Sequence, residues 1–342
     1  MSRGPTIIDV ARLAGVSKAT AARVLNGQQD MVKEVTRERV ISAAQHLGYV
    51  RNAVAGSLRT DRTYVVALSI PDITNPFWPE VARGVQDTTE AGGYTTVIVN
   101  SDWKHDREET FLKLVRRNRF DGLIINVVQT PAEDLLQLRI PVVILGGGEN
   151  YPLMDSIGSD TAGGTDAALA HLYDLGHRRI GLICGLSRRR YSIQNERYRA
   201  FLDGCALPFV PEHVIESDFT DRAGYQAMER LLQQPDPPTA VLAANDTIAI
   251  GALKAAQALS WRVPEDISIV GMDDIYAAAT TSPALTTVAK PKYEIGVRAA
   301  RLLMARMSEE SHDDVTRTRL ACELIVRSST APPRPDWQSG AL

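Results

Sequence analysis

The sequence predicts a small all-α head followed by an α/β body of two parallel-sheet lobes, and three observations carry that prediction. The first is charge: residues 1–60 hold nine Lys or Arg against four Asp or Glu, net +5, whereas the remainder holds 29 against 37, net −8. The second is periodicity, because apolar residues recur at helical spacing as far as Leu47 and then give way to continuous apolar runs. The third is the character of those runs. Tyr64–Ile70, Gly122–Asn126, Val142–Leu145, Arg179–Cys184, Ala240–Ala244 and Ile267–Gly271 alternate with amphipathic helical stretches, the pattern of parallel strands covered on both faces. With 342 residues and 44% of them hydrophobic, the chain has material for two or three folding units, each with its own core.

The head reads element by element. Ile7, Val10, Ala11 and Ala14 lie at helical spacing, and Thr6 with Asp9 three residues on forms a capping box. Gly15 ends this first helix, Val16 is an apolar turn residue, and Ser17 is a good N-cap for a second helix turning Ala21, Val24 and Leu25 inward. Asn26-Gly27 supplies a left-handed stop. A third helix from Thr36 to Leu47 places Val40, Ala44 and Leu47 on one face and ends at Gly48. Two short helices joined by a tight glycine-containing turn make a helix-turn-helix.

The outward face of the second helix shows Lys18, Ala19, Ala22 and Arg23. Lys and Arg can donate to guanine O6 and N7 in a major groove, and a small Ala allows contact with a thymine methyl. Ser17 and Thr20, with the N–H groups of the helix start, are placed for phosphate. Two surface cations also serve simply to keep a helix face soluble, so composition alone leaves both roles open.

The run TIIDVARLAGVSKATAARVLNG, from Thr6 to Gly27, closely resembles the signature of the lactose-repressor (LacI/GalR) family of transcriptional regulators. The resemblance continues through Asn75-Pro-Phe-Trp78, Leu175-Gly-His-Arg-Arg-Ile180, Ala244-Asn-Asp246, Val263-Pro-Glu-Asp-Ile267, Gly271-Met-Asp-Asp274 and Ser282-Pro-Ala-Leu-Thr-Thr287, in the family's order, and so spans about Thr6 to Thr330. It implies an all-α helix-turn-helix headpiece (1–50), a hinge helix or linker (51–61) and a periplasmic-binding-protein-like body (62–330). Within the body, the first lobe is expected at about 62–160 and 290–320, the second at about 161–289 and 321–330. A disordered tail is expected at 331–342, with no leucine heptad to build a tetramerising coil.

The resemblance assigns DNA contacts to Thr6, Ser17, Lys18, Ala19, Thr20, Arg23 and Asn26 in the headpiece and to Arg51, Asn52, Ala55 and Leu58 in the hinge. Leu58 falls where the family's leucine wedges open the central base step. It assigns effector contacts to Asn75, Phe77, Trp78, Arg197, Phe219, Asn245, Asp273 and Lys290, in a cleft between the lobes. Flat aromatic faces there cover apolar C–H surfaces while amide and charged groups take hydroxyls. Five positions depart from the family pattern: Ala21-Ala22 replaces Val-Ser, Arg51 replaces Pro, Gly56 replaces Arg and Lys290 replaces Gln. A cation at 290 cannot accept a hydrogen bond, which favours a carboxylate or phosphate ligand. Arg188, Arg189 and Arg190, in the loop before Arg197, would add to that field.

These readings lead to a ligand-responsive repressor of a carbohydrate-utilisation operon whose effector is a sugar or an acidic sugar derivative. A regulator of a non-sugar metabolite such as a nucleobase is the alternative. The implied partners are pseudo-palindromic double-stranded operator DNA, one small effector and a second copy of the chain in a homodimer, with no cofactor. A cytoplasmic protein is expected, since no apolar run reaches the ~20 residues of a membrane span and no continuous apolar segment follows Met1. Cys184, Cys205 and Cys322 fit neither a disulfide framework nor a zinc site. An enzyme lacks support: there is no Walker loop, no His-Glu-x-x-His and no nucleophile elbow, and Gly146-Gly147-Gly148 after a strand reads as a turn. Glycine costs a helix about 1 kcal/mol relative to alanine. Gly56→Ala is therefore expected to tighten operator binding roughly fivefold, read by a titration at fixed salt; unchanged affinity would count against a helical hinge.

Overall fold

A computed structural model describes residues 5–25, 32–49, 62–185, 193–308 and 314–335. The chain divides into two compact units, Met1–Thr63 and Tyr64–Leu342. Asn26, Gly27, Arg51, Asn52, Ala55, Gly56, Leu58 and Arg188, Arg189 and Arg190 lie outside the described residues.

The first unit contains α1 (Ile7–Ala14), α2 (Lys18–Leu25) and α3 (Glu34–His46). The capping box at Thr6 is present: Asp9 N donates to Thr6 Oγ1 and Thr6 N donates to the Asp9 carboxylate at 2.9 Å. Gly15 adopts φ +62°, the left-handed conformation that lets the chain turn within one residue. Val10, Ala11, Ala14, Ala21, Val24, Val40, Ala43 and Ala44 close a small core, with Val16, Leu25 and Leu47 packed at its border. The third helix starts two residues earlier than its apolar pattern suggests. Glu34 in its first turn complements the helix dipole, a contribution that hydrophobic spacing does not record. From this helix Arg39 donates to the Ala14 carbonyl and so fastens the α1–α2 turn.

The second unit alternates strands and helices. The first lobe begins with β1 (Val65–Ile70), α4 (Phe77–Ala91), β2 (Thr95–Asn100), α5 (His105–Asn118), β3 (Gly122–Ile125), α6 (Ala132–Leu136), β4 (Val142–Leu145) and β5 (Asp155–Ser159). The second continues with α7 (Thr161–Asp174), β6 (Ile180–Gly185), α8 (Ile193–Gly204), β7 (Val214–Ser217), α9 (Asp221–Leu232), β8 (Ala240–Ala243), α10 (Asp246–Ala258), β9 (Ser268–Asp273) and β10 (Thr286–Ala289). The chain then returns through α11 (Lys292–Met307) and β11 (Arg317–Leu320) and ends in β12 (Glu323–Ile325).

Two six-stranded sheets result, in the orders β11-β5-β4-β3-β1-β2 and β12-β10-β9-β8-β6-β7. Every pairing is parallel except that of β12 with β10. The six apolar runs of the sequence coincide with β1, β3, β4, β6, β8 and β9. The remaining strands are edge or near-edge strands of mixed polarity, such as Thr95–Asn100 and Arg317–Leu320, where one face remains partly in solvent and no continuous apolar run is required. The segment 331–335 differs from the expected disordered tail. Ser268 Oγ bonds both the N–H and the carbonyl of Ala331 at 3.1 Å, and Arg334 pairs with Asp266 at 2.6 Å.

In each lobe one helix pair approaches closely enough to require glycine. A Cβ on Gly84 of α4 would lie 2.2 Å from the Tyr293 carbonyl oxygen, and one on Gly296 of α11 would lie 2.1 Å from that of Val81. Gly224 of α9 and Gly251 of α10 repeat the arrangement, with Cβ positions 2.2 and 1.9 Å from the carbonyl oxygens of Ile248 and Asp221. Backbone atoms cannot rotate aside, so the helices must separate to admit a methyl group. Gly296→Ala is expected to destabilise the chain by about 1–3 kcal/mol, seen as a lowered denaturant midpoint. A midpoint equal to the parent's would mean the helices are not held in this contact.

Candidate functional site

On the head, Ser17, Lys18, Ala19 and Arg23 are exposed along one face of α2, opposite the buried Ala21 and Val24. Ser17 Oγ accepts from Thr20 N at 3.0 Å and lies 2.9 Å from Thr20 Oγ1. Ser17 Oγ thus caps the helix start and also pairs with the Thr20 hydroxyl. Thr6 differs: its hydroxyl donates to Asp9 at 2.7 Å within the capping box.

In the body, both sheets have the order 2-1-3-4-5 over their first five strands, so the strand order reverses at β1/β3 and at β6/β8. The carboxyl ends of the strands at such switch points form a crevice, because the crossovers there leave to opposite sides. The loop after β1 carries Asn75, and Phe77 opens α4. Asn75 is buried, and its Oδ1 accepts from Phe77 N at 3.1 Å. Trp78, expected to stack on the ligand, is instead buried in the first lobe's core with Leu68, Ile70 and Val81; its ring meets Phe77 edge to face at 4.9 Å. It braces Phe77.

From the second sheet come Asn245, at the end of β8, and Asp273, at the end of β9. Asn245 caps α10, its Oδ1 accepting from Ile248 N at 2.8 Å, while its buried Nδ2 has no hydrogen-bond partner among the described residues. Asp273 is held at φ +113°. Lys290, just beyond β10, brings Nζ to 2.9 Å from Asp273 Oδ1 and 5.5 Å from the centre of the Phe77 ring. Asp273, Lys290 and Phe77 thus form one connected group drawn from the two lobes, and Asn245 ends the strand beside that of Asp273. Arg197 on α8 and Phe219 after β7 are differently engaged. Arg197 forks onto the Asp166 carboxylate of α7, with Nε at 2.8 Å from Oδ1, and Phe219 stacks on Trp103.

Residues 6–52 match the bacterial regulatory proteins of the lacI family, and residues 169–330 match the periplasmic binding protein-like domain. Catabolite control protein A of Priestia megaterium is 35% identical over 90% of this chain and 94% of its own length. The chain belongs to the LacI family of bacterial regulatory proteins. Among solved structures of the family, the transcriptional regulator CelR in complex with cellobiose is 31% identical, with a TM-score of 0.70 over 95% of this chain and 99% of its own. The lac repressor dimer bound to operator and the anti-inducer ONPF is 26% identical, with a TM-score of 0.84 over 96% of this chain and 100% of its own. Like its LacI-family relatives, this chain is a DNA-binding transcriptional regulator and not an enzyme.

Two cleft residues escaped the sequence reading. Lys292, two positions beyond Lys290, is buried and donates from Nζ to the carbonyls of Asp273 and Asp274, each at 2.8 Å, with Glu80 of α4 at 3.6 Å. Asp246 is wholly buried; its carboxylate accepts from Ile275 N at 2.8 Å and from Thr287 Oγ1 at 2.5 Å. A lysine beside a proline and an aspartate after a helix cap read as surface residues, and only the fold turns them inward.

The expectation drawn from Lys290 also changes. Its charge is met by Asp273 with both side chains largely out of water, so the pair is net neutral and gives an anionic ligand no unpaired cation. Burial pushes the Asp273 carboxyl up, opposed chiefly by Lys290. Asp246 is pushed up to about 7, first by burial and then by the neighbouring Asp273. An acid whose folded value lies above its ordinary 3.8 favours the folded state while protonated. That contribution is complete below about pH 4 and lost as pH rises through about 7. Asp246→Asn can accept from Ile275 through its amide oxygen and donate to Thr287 through Nδ2. It is expected to flatten the decline in stability between pH 4 and 8 in chemical unfolding; a decline as steep as the parent's would assign the proton elsewhere.

Proposed function

We propose that the chain represses a carbohydrate-utilisation operon in the cytoplasm, binding a pseudo-palindromic operator as a homodimer and responding to a neutral sugar held between the lobes. One observation supports the ligand class above the others. The cleft offers a net-neutral set of donors and acceptors, Asn245 with the Lys290–Asp273 pair, beside the face of Phe77. Hydroxyl groups donate and accept at once and match such a set, while a sugar's C–H face suits the aromatic ring. The cellobiose carried by the similar CelR structure is consistent with this reading. Arg197 joins the site only when a ligand hydroxyl replaces part of its bond to Asp166.

On the operator, Lys18, Ala19 and Arg23 read base edges, while Ser17, Thr20 and Asn26, with Thr6 at the start of α1, fix the headpiece on the backbone. Arg51, Asn52, Ala55 and Leu58 follow into the minor groove. Ligand binding favours one arrangement of the lobes over another and so shifts the population competent for DNA.

The test pairs footprinting of the upstream intergenic DNA with thermal-shift and calorimetric titration against cellobiose, ribose, their phosphorylated forms and aldonic acids. Neutral sugars should stabilise the protein and change its footprint; response to the anionic forms alone would overturn the neutral-ligand reading. Arg23→Ala should cost about 1–3 kcal/mol at the operator and relax selectivity at one base pair in each half-site. A uniform loss across all sequences would make Arg23 a phosphate contact.

A further inference from the structure

The chain passes between the two lobes at three places: after β5, between β10 and α11, and between β11 and β12. In both sheets these strands lie at the same edge, β11-β5 in one and β12-β10 in the other. The opposite edges, β2 and β7, have no covalent tie. There the loop after β2 presents Trp103 and the loop after β7 presents Phe219, with ring centres 5.0 Å apart and planes 20° from parallel.

Both rings are held in place. Asp102 and Trp103 take φ values of +49° and +56°, a conformation rare for residues with a Cβ. The Asp102 carboxylate accepts from Asn100 Nδ2 and pairs with Arg107, which fixes the loop in that shape. On the other side, Thr220 N donates to Asp218 Oδ1 at 3.0 Å and Thr220 caps α9, so Phe219 sits in a bonded turn. Its ring lies on the end of β6 at Gly185, where a Cβ would come within 2.2 Å of it. Trp103 remains 37% exposed, while Phe219 rests against the border of the second lobe's core.

We propose that the Trp103–Phe219 stack is a latch that holds the free edges of the two lobes together, opposite the three-stranded hinge. The latch is independent of what the ligand is. A stacked aromatic pair shifts a closed-to-open ratio by about twofold to tenfold, enough to bias the lobes without locking them.

Hydrogen exchange read by mass spectrometry on the full-length, ligand-free protein tests this. Trp103→Ala should accelerate exchange at residues 217–221, on the lobe it does not belong to, about twofold to tenfold, and Phe219→Leu should do the same at 100–104. Trp103→Phe keeps the stack and should leave both segments at the parent's rates. Sheet-core strands β3 and β8 should be unchanged in all three, which reports intact folding. Acceleration confined to the substituted residue's own loop, or equal for Trp103→Phe and Trp103→Ala, would overturn the latch. Because each direction is read from a different variant, failure of one to fold leaves the other decisive.

Discussion

Parallel pairing is the constraint from which the body follows. A parallel strand cannot be reached by a tight turn, so each strand needs a helical crossover, and all carboxyl ends of a sheet face the same way. Two such sheets with three passages at one shared edge gather the polar strand ends of both lobes. The Asp273, Lys290 and Phe77 group, with Asn245 on the strand beside that of Asp273, exists because β8, β9, β10 and β1 all end there. Nothing about these four residues would make them a site on separate surfaces.

Within that cleft, electrostatics is settled locally. Burying Asp273 is unfavourable for its charge, and Lys290 and Lys292 compensate in different ways, one pairing with the carboxylate and the other with the backbone carbonyls of Asp273 and Asp274. A second carboxyl, Asp246, has its proton affinity raised first by burial and then by the nearby Asp273, with hydrogen bonds from Thr287 and Ile275 opposing the rise. The charges of Lys290 and Asp273 cannot be read as independent attractors for a ligand, since each already answers the other.

The fold was legible in the sequence to the degree that burial was two-sided. The six central strands are continuous apolar runs, and the head's helices show their caps in Thr6, Gly15 and Ser17. Edge strands such as β2 and β11 were hidden by their mixed polarity, and the ordered segment after Thr330 was hidden because it docks through hydrogen bonds to Ser268 and His177. The candidate site was legible by family resemblance for Asn245, Asp273 and Lys290. It was not legible for Trp78, where a stacking aromatic and a core aromatic are the same residue type, nor for Trp103, whose role depends on a loop from the other lobe. Neither the Arg197–Asp166 fork nor the Lys290–Asp273 pair could be inferred from spacing, since their partners lie 31 and 17 positions away.

The glycine contact between α4 and α11 has a consequence for how the chain is made. The face of α4 around Gly84 is complete early in synthesis, yet the helix that covers it begins at Lys292, roughly 200 residues later. At ribosomal rates this interval is on the order of 10–40 s. During it the first lobe lacks both its covering helix and its edge strand β11, while the second lobe gains all but its last strand in one uninterrupted stretch. The lobe encoded second is thus the first able to close its core. A nascent chain of this architecture carries an open apolar surface through most of its translation, a period in which chaperone binding would protect it.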